Sequence, residues 1–74
     1  MNRQIVWQST LDGRYEAVVV RIAPYQGLLT IRDAGEEIFS QQVGLMYNAQ
    51  FGPDMADVAD WQEIVVNFID NKKP

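Results

Sequence analysis

The chain contains no cysteine and no histidine. The first absence excludes disulfides, thiolate metal sites, iron–sulfur clusters and thiol nucleophiles. The second removes the commonest general base at neutral pH and the commonest transition-metal ligand. Positive charge is also scarce, with six Lys and Arg against ten Asp and Glu and a net charge of −4. Nucleic-acid binding rests on a basic patch that displaces counterions from phosphates, so no nucleic-acid partner is expected, and anionic membrane surfaces are disfavoured for the same reason. No run of apolar residues reaches membrane-spanning length, and none follows Met1-Asn2-Arg3. The expectation is a soluble cytoplasmic protein with neither signal peptide nor transmembrane span.

Seventy-four residues imply one domain, 1–74, whose small core leaves stability thin. Domains of this size gain support from disulfides, a metal or self-association, and composition leaves the last of these open. The charge is uneven. Arg3, Arg14, Arg21 and Arg32 nearly cancel Asp12, Glu16, Asp33, Glu36 and Glu37, and the excess acid falls in the last third.

That last third is the most legible segment. Met55, Val58, Trp61, Val65, Phe68 and Ile69 recur at spacings of three and four, one stripe of a helical period, with Asp57, Asp60, Glu63, Asn67 and Asp70 on the opposite arc. A helix over 53–70 is predicted. Gly52-Pro53 or Asp54 would cap its start, acids in the first turns and Lys72 and Lys73 beyond the end suit its dipole, and 71–74 form a tail.

Upstream, 3–11 and 14–23 are rich in β-branched and aromatic residues and flank Asp12-Gly13, a strong hairpin signal for a two-residue type I′ turn. That register pairs Leu11 with Arg14, Trp7 with Val18 and Ile5 with Val20. It places Ile5, Trp7, Val18, Val20 and Ile22 on the face that meets the helix, and Gln4, Val6, Gln8, Thr10, Tyr15, Ala17, Val19 and Arg21 on the other. Pro24-Tyr25-Gln26-Gly27 is expected to turn, with glycine at the positive-φ position. Strands over 28–32 and 37–43 follow, joined by a three-residue loop through Asp33-Ala34-Gly35, with Leu29, Ile31 and Phe39 in the core. The segment 45–51 has no clean period and is either strand or crossover. The fold class is therefore α+β: a four-stranded antiparallel β-meander with one C-terminal amphipathic helix packed on one face, in two layers.

The carboxylates Asp54, Asp57, Asp60 and Glu63 repeat every third position, but each step turns the helix by about 300° and so falls back about 60°. They fan out rather than converge, and no calcium-loop pattern is present. No metal is expected. Ser9, Thr10, Thr30 and Ser40 have no histidine beside them to act as base, and nothing selects a carboxylate pair, so no catalytic residues and no enzyme activity are expected. The helix N-terminus that could hold an anion begins with Asp54 and Asp57, which occupy that role themselves, and no cofactor is expected. The expected function is a small acidic non-catalytic interaction module, homo-oligomeric and most simply a homodimer. Its contact candidates are Val6, Tyr15, Ala17 and Val19 on the half-polar sheet face, with Tyr25 at a turn and Tyr47 in the connector. Two alternatives are an acidic nucleic-acid mimic that inhibits a basic protein, and a ligand or weak enzymatic site formed only at a dimer interface.

Overall fold

The structure, a computed structural model, describes residues 4–45 and 55–72. Four strands, β1 (Ile5–Leu11), β2 (Tyr15–Ala23), β3 (Gln26–Asp33) and β4 (Glu36–Gly44), precede one helix, α1 (Met55–Lys72). The strands pair antiparallel in chain order as an open four-stranded sheet, the expected meander. The capping residues expected for α1, and most of the ambiguous 45–51 segment, lie outside the described residues. At its other end α1 runs through Asn71 to Lys72, so that Lys72 occupies the last turn rather than the tail.

The helix meets Trp7 of β1 as the hairpin register predicts, but on β2 it covers Tyr15, Ala17 and Val19 rather than Val18, Val20 and Ile22. Asp12 and Gly13 both have positive φ, 56° and 64°, and the Arg14 N–H donates to the Leu11 carbonyl at 3.1 Å, as a type I′ turn requires. Yet the ladder begins at Leu11↔Tyr15 and continues to Trp7↔Val19. Arg14 is an extra loop residue outside the ladder. Because side chains alternate with period two, this single residue moves all of β2 to the other side relative to β1. A bulge between Ile5 and Trp7 then restores the predicted Ile5↔Val20 pair. The second hairpin departs in the opposite sense. It has a two-residue connection, with Asp33↔Glu36 paired around Ala34 and Gly35 at φ 53° and 87°.

The covered face carries Trp7, Tyr15, Ala17, Val19, Leu29, Ile31 and Phe39, which share the core with Trp61, Val65 and Ile69 of α1. Ala17, Val19, Leu29 and Ile31 are wholly shielded from solvent. Two aromatic pairs tie the helix to the two edge strands, Trp7–Trp61 with centroids 5.8 Å apart and Phe39–Phe68 at 4.6 Å, both in tilted geometries that favour ring contact. On α1 the buried row is Asp57, Trp61, Val65 and Ile69. The predicted stripe holds for Val58, Trp61, Val65, Phe68 and Ile69, but it loses its first member and widens on one side. Met55 is 78% exposed, whereas Asp57, assigned to the solvent arc, is buried and Ile64 packs against the core.

Gly27 is not the turn glycine. Pro24 and Tyr25 alone make the β2–β3 turn, with Ala23 paired to Gln26. Gly27 lies buried inside β3, where an added Cβ would stand 3.0 Å from Val19 Cγ1, 3.1 Å from the Val20 carbonyl oxygen and 3.2 Å from Leu45 Cδ2. Its role is close approach, not positive φ.

Candidate interaction surface

Among the described residues α1 covers one face and no element covers the other, whose composition the cross-strand pairing shows. Ile5, Val20, Leu28 and Gln42 form one row across the sheet, and Gln8, Val18, Thr30 and Ser40 the next. A third row, Thr10, Glu16, Arg32 and Glu37, is polar and charged. The open face is thus graded. Ile5, Val18, Val20 and Leu28 make an apolar patch toward the β2–β3 turn, with Ile22 exposed at the β2 bulge next to it, and the charged row lies toward the Leu11 and Asp33 ends of the strands. Ile5 is 57% exposed. Val18, Val20 and Leu28 are half-buried.

The contact candidates read from sequence are dispersed by this arrangement. Tyr15, Ala17 and Val19 belong to the core beneath α1 and present no free surface, because the extra loop residue Arg14 turns them toward the helix. Val6 is half-buried at the β1 bulge and packs against that core. Tyr25 is 69% exposed at the β2–β3 turn, beside the apolar end of the open face. Tyr47 lies outside the described residues. Among the described residues no second element covers the other face of the sheet; Gln8 and Thr10 lie on it as expected, but the apolar residues expected there, Val6, Tyr15, Ala17 and Val19, belong with the core. One signal in the sequence points the right way: Glu16 shares its parity with Val18 and Val20, and an ionised carboxylate does not sit unpaired in a core.

Polar contacts trim the ends of the sheet. The Arg14 guanidinium donates Nε to Asp33 Oδ1 at 2.6 Å and Nη2 to Asp33 Oδ2 at 2.8 Å, joining the two hairpin turns. Its cation also lies 5.3 Å from the centroid of the Tyr15 ring. The two hydrogen bonds from Arg14 hold the Asp33 carboxyl below the usual carboxylate range, and the charges of Arg14 and Lys72 act the same way against a partial opposing effect of burial. At the opposite end Arg21 donates to Gln4 Oε1 at 3.2 Å and to the Pro24 carbonyl.

Two clefts flank α1. The one beside β4, about 250 Å³, is lined by Gln41, Gln42, Asp57 and Asp60 together with Trp61 and Ile64. The one beside β1, about 200 Å³, is lined by Trp7, Ser9, Leu11, Gln62, Val65 and Val66. Among the described residues no three carboxylates are placed to hold a metal ion, and no helix is long and apolar enough to cross a membrane. The chain matches no protein family, no curated protein and no solved structure.

Proposed function

We propose that this chain is a small non-catalytic interaction module that pairs with a second copy through the open face of its sheet. The observation that carries this reading is the contiguous patch Ile5, Val18, Val20 and Leu28, with Ile22 exposed next to it, on the face that α1 does not cover. Antiparallel sheets that keep one face in water usually alternate to polar residues there, and the row Ile5, Val20, Leu28 and Gln42, with Val18 beside it, does not. Four strands about 4.8 Å apart and about 26 Å long span roughly 500 Å² in plan, near the lower bound of area per partner in stable protein interfaces. A two-fold axis between two such faces would bury each apolar patch against its copy and leave the charged rows at the rim, as interfaces generally do. Association would also add stability that a 74-residue chain has little core to supply.

Sedimentation equilibrium of the wild type and Val20→Asp tests this. A dimer at tens of micromolar that Val20→Asp converts to a folded monomer is the expected result. A monomeric wild type rejects the reading, and a dimer indifferent to Val20→Asp moves the interface off this face.

A further inference from the structure

The two sides of α1 differ from one another. Along the helix, Met55, Ala59, Gln62, Val66 and Asp70 fall at spacings of four, three, four and four, one continuous row. Gln62 and Val66 of this row line the cleft beside β1, so the row is the wall of the helix on that side. Met55 and Val66 are the two helix residues with large apolar side chains left exposed, and Val66 is 42% so. The β4 side carries Asp57 and Asp60 instead.

The floor of the same groove is an edge. β1 is the outermost strand of the sheet, and no described strand pairs with its outer side. Its sequence, IVWQSTL, contains no charge, proline or glycine. Edge strands are normally guarded by such residues. The other edge strand, β4, begins with Glu36-Glu37 and has a bulge opposite Ile31 and Arg32. β1 has only its bulge near Ile5, and from Trp7 to Leu11 its pairing with β2 is regular.

We propose that the groove between β1 and α1 binds an extended segment of a partner protein, which adds a fifth strand to β1 and places apolar side chains in the cleft lined by Trp7, Leu11, Val65 and Val66. An unpaired strand edge offers alternating backbone donors and acceptors that only an extended chain satisfies along its length. Side chains of an added strand point alternately to the two sheet faces, so every second one enters the space between β1 and the helix. An apolar cavity of about 150 Å³ accepts a benzene ring, and this cleft of about 200 Å³ has room for a leucine or an aromatic side chain. Charge sets the composition of the segment. Asp70 continues the helix wall and α1 has no Lys or Arg before Lys72, whereas the Leu11 end holds Arg14 and Lys72 as well as Asp12. A second copy of this chain brings a net charge of −4 to the same place, so charge favours a basic segment over self-pairing. The groove and the open face lie on different sides of β1, so the open-face dimer would carry two grooves, available together.

The probe is a displayed library of random heptapeptides, selected against the full chain, with the selected peptides resynthesised. Binding is read from tryptophan fluorescence, since Trp7 lines the groove, and from amide shifts in ¹⁵N-labelled protein. The expected peptides have apolar residues at alternate positions and a net positive charge, and they shift amides of β1 and of the Gln62–Val66 turn. Val66→Glu, a change at an exposed position, should weaken binding at least tenfold. N-methylation of alternate peptide nitrogens should abolish it, and Val20→Asp should leave it unchanged whether or not the open-face dimer exists. Failure to select any peptide, selection without alternation, or binding insensitive to both Val66→Glu and N-methylation overturns the proposal. So does a Val20→Asp protein that remains dimeric and is dissociated by Val66→Glu, which would show the groove filled by a second copy.

Discussion

β2 contributes to both faces of the sheet, and its two contributions are closely matched. Tyr15, Ala17 and Val19 face the helix, while Val18 and Val20 face away from it and Ile22 is exposed next to them. Judged by this strand alone, the helix could pack on either side. The neighbours decide. On the covered face the rows are Trp7, Val19, Leu29 and Gln41, then Ser9, Ala17, Ile31 and Phe39, each with a single polar residue at an edge. On the open face the row Ile5, Val20, Leu28 and Gln42 is comparable, but the next, Gln8, Val18, Thr30 and Ser40, has one apolar member, and the third, Thr10, Glu16, Arg32 and Glu37, has none. A helix laid there would take charges out of water with too few partners for them. A face is chosen by the whole row, and a single strand with two apolar sides is a poor guide to which one becomes the core.

The largest test of this asymmetry is Trp61→Ala. Trp61 is buried in the core and pairs with Trp7, and truncating a buried large aromatic costs about 3–5 kcal/mol. A domain of this length has a total stability of roughly 4–11 kcal/mol at typical values per residue. Trp61→Ala should therefore lower the melting temperature drastically or leave the chain unfolded by circular dichroism. Val20→Ala on the open face should cost less than about 1 kcal/mol in a monomeric preparation, as partly exposed positions usually do. Equal losses at the two positions would mean that the faces are not different in kind.

A smaller effect is expected from two glycines. Gly27→Ala puts a Cβ 3.1 Å from the Val20 carbonyl oxygen, a backbone atom that side-chain motion cannot clear, and 3.0 Å from Val19 Cγ1. Overpacking of this kind costs about 1–3 kcal/mol. Gly44→Ala meets nothing within 4 Å and should be neutral or slightly stabilising. Chemical denaturation of the two variants side by side measures the difference, and a neutral Gly27→Ala would show that the covered face is looser than its burial implies.

The helix, the four strands and their order are legible in the sequence because each rests on a local pattern: a 3.6-residue stripe at 55–69, β-branched runs, and turn residues between them. Which side of β2 the helix covers is not, because it depends on a single loop residue. Asp12-Gly13 adopts the predicted positive φ values, but whether Arg14 joins the strand or stays in the loop is not written in the turn dipeptide. The structure resolves it with a contact that is remote in sequence, the paired hydrogen bonds from Arg14 to Asp33. Gly27 misleads for a related reason. A glycine after proline resembles a turn, and only the approach of Val19 and Leu45 reveals that it serves packing. The open face follows from one helix on one sheet, but the parity of the residues it carries does not. The groove at β1 is not visible in the sequence, since it requires α1 to lie beside the β1 edge and leaves Met55, which the predicted stripe places inside, exposed.

The smallest expected effect concerns the rim where the covered face ends, because there the Arg14–Asp33 pair holds the loop register that assigns the faces. Asp33 has its folded-state pKa lowered from the ordinary carboxylate value, first by the hydrogen bonds from Arg14. Arg14 is raised by the same contact and stays charged at every pH considered. A carboxylate with a depressed folded pKa contributes stability that is present above its unfolded pKa and is lost as pH falls through the folded value. The wild type should therefore melt above Asp33→Asn by a gap that is constant from pH 7 down to about 5 and closes below the ordinary carboxylate range. The Arg14 side chain is 64% exposed and that of Asp33 13%, so added salt should narrow the gap at neutral pH in part. Thermal melts of both proteins across this range, at low and high ionic strength, measure it. A gap that persists unchanged into strong acid would mean that the substituted amide disturbs the turn by its shape rather than by the lost charge. The register would then rest on the conformation of Ala34-Gly35 and not on the ion pair.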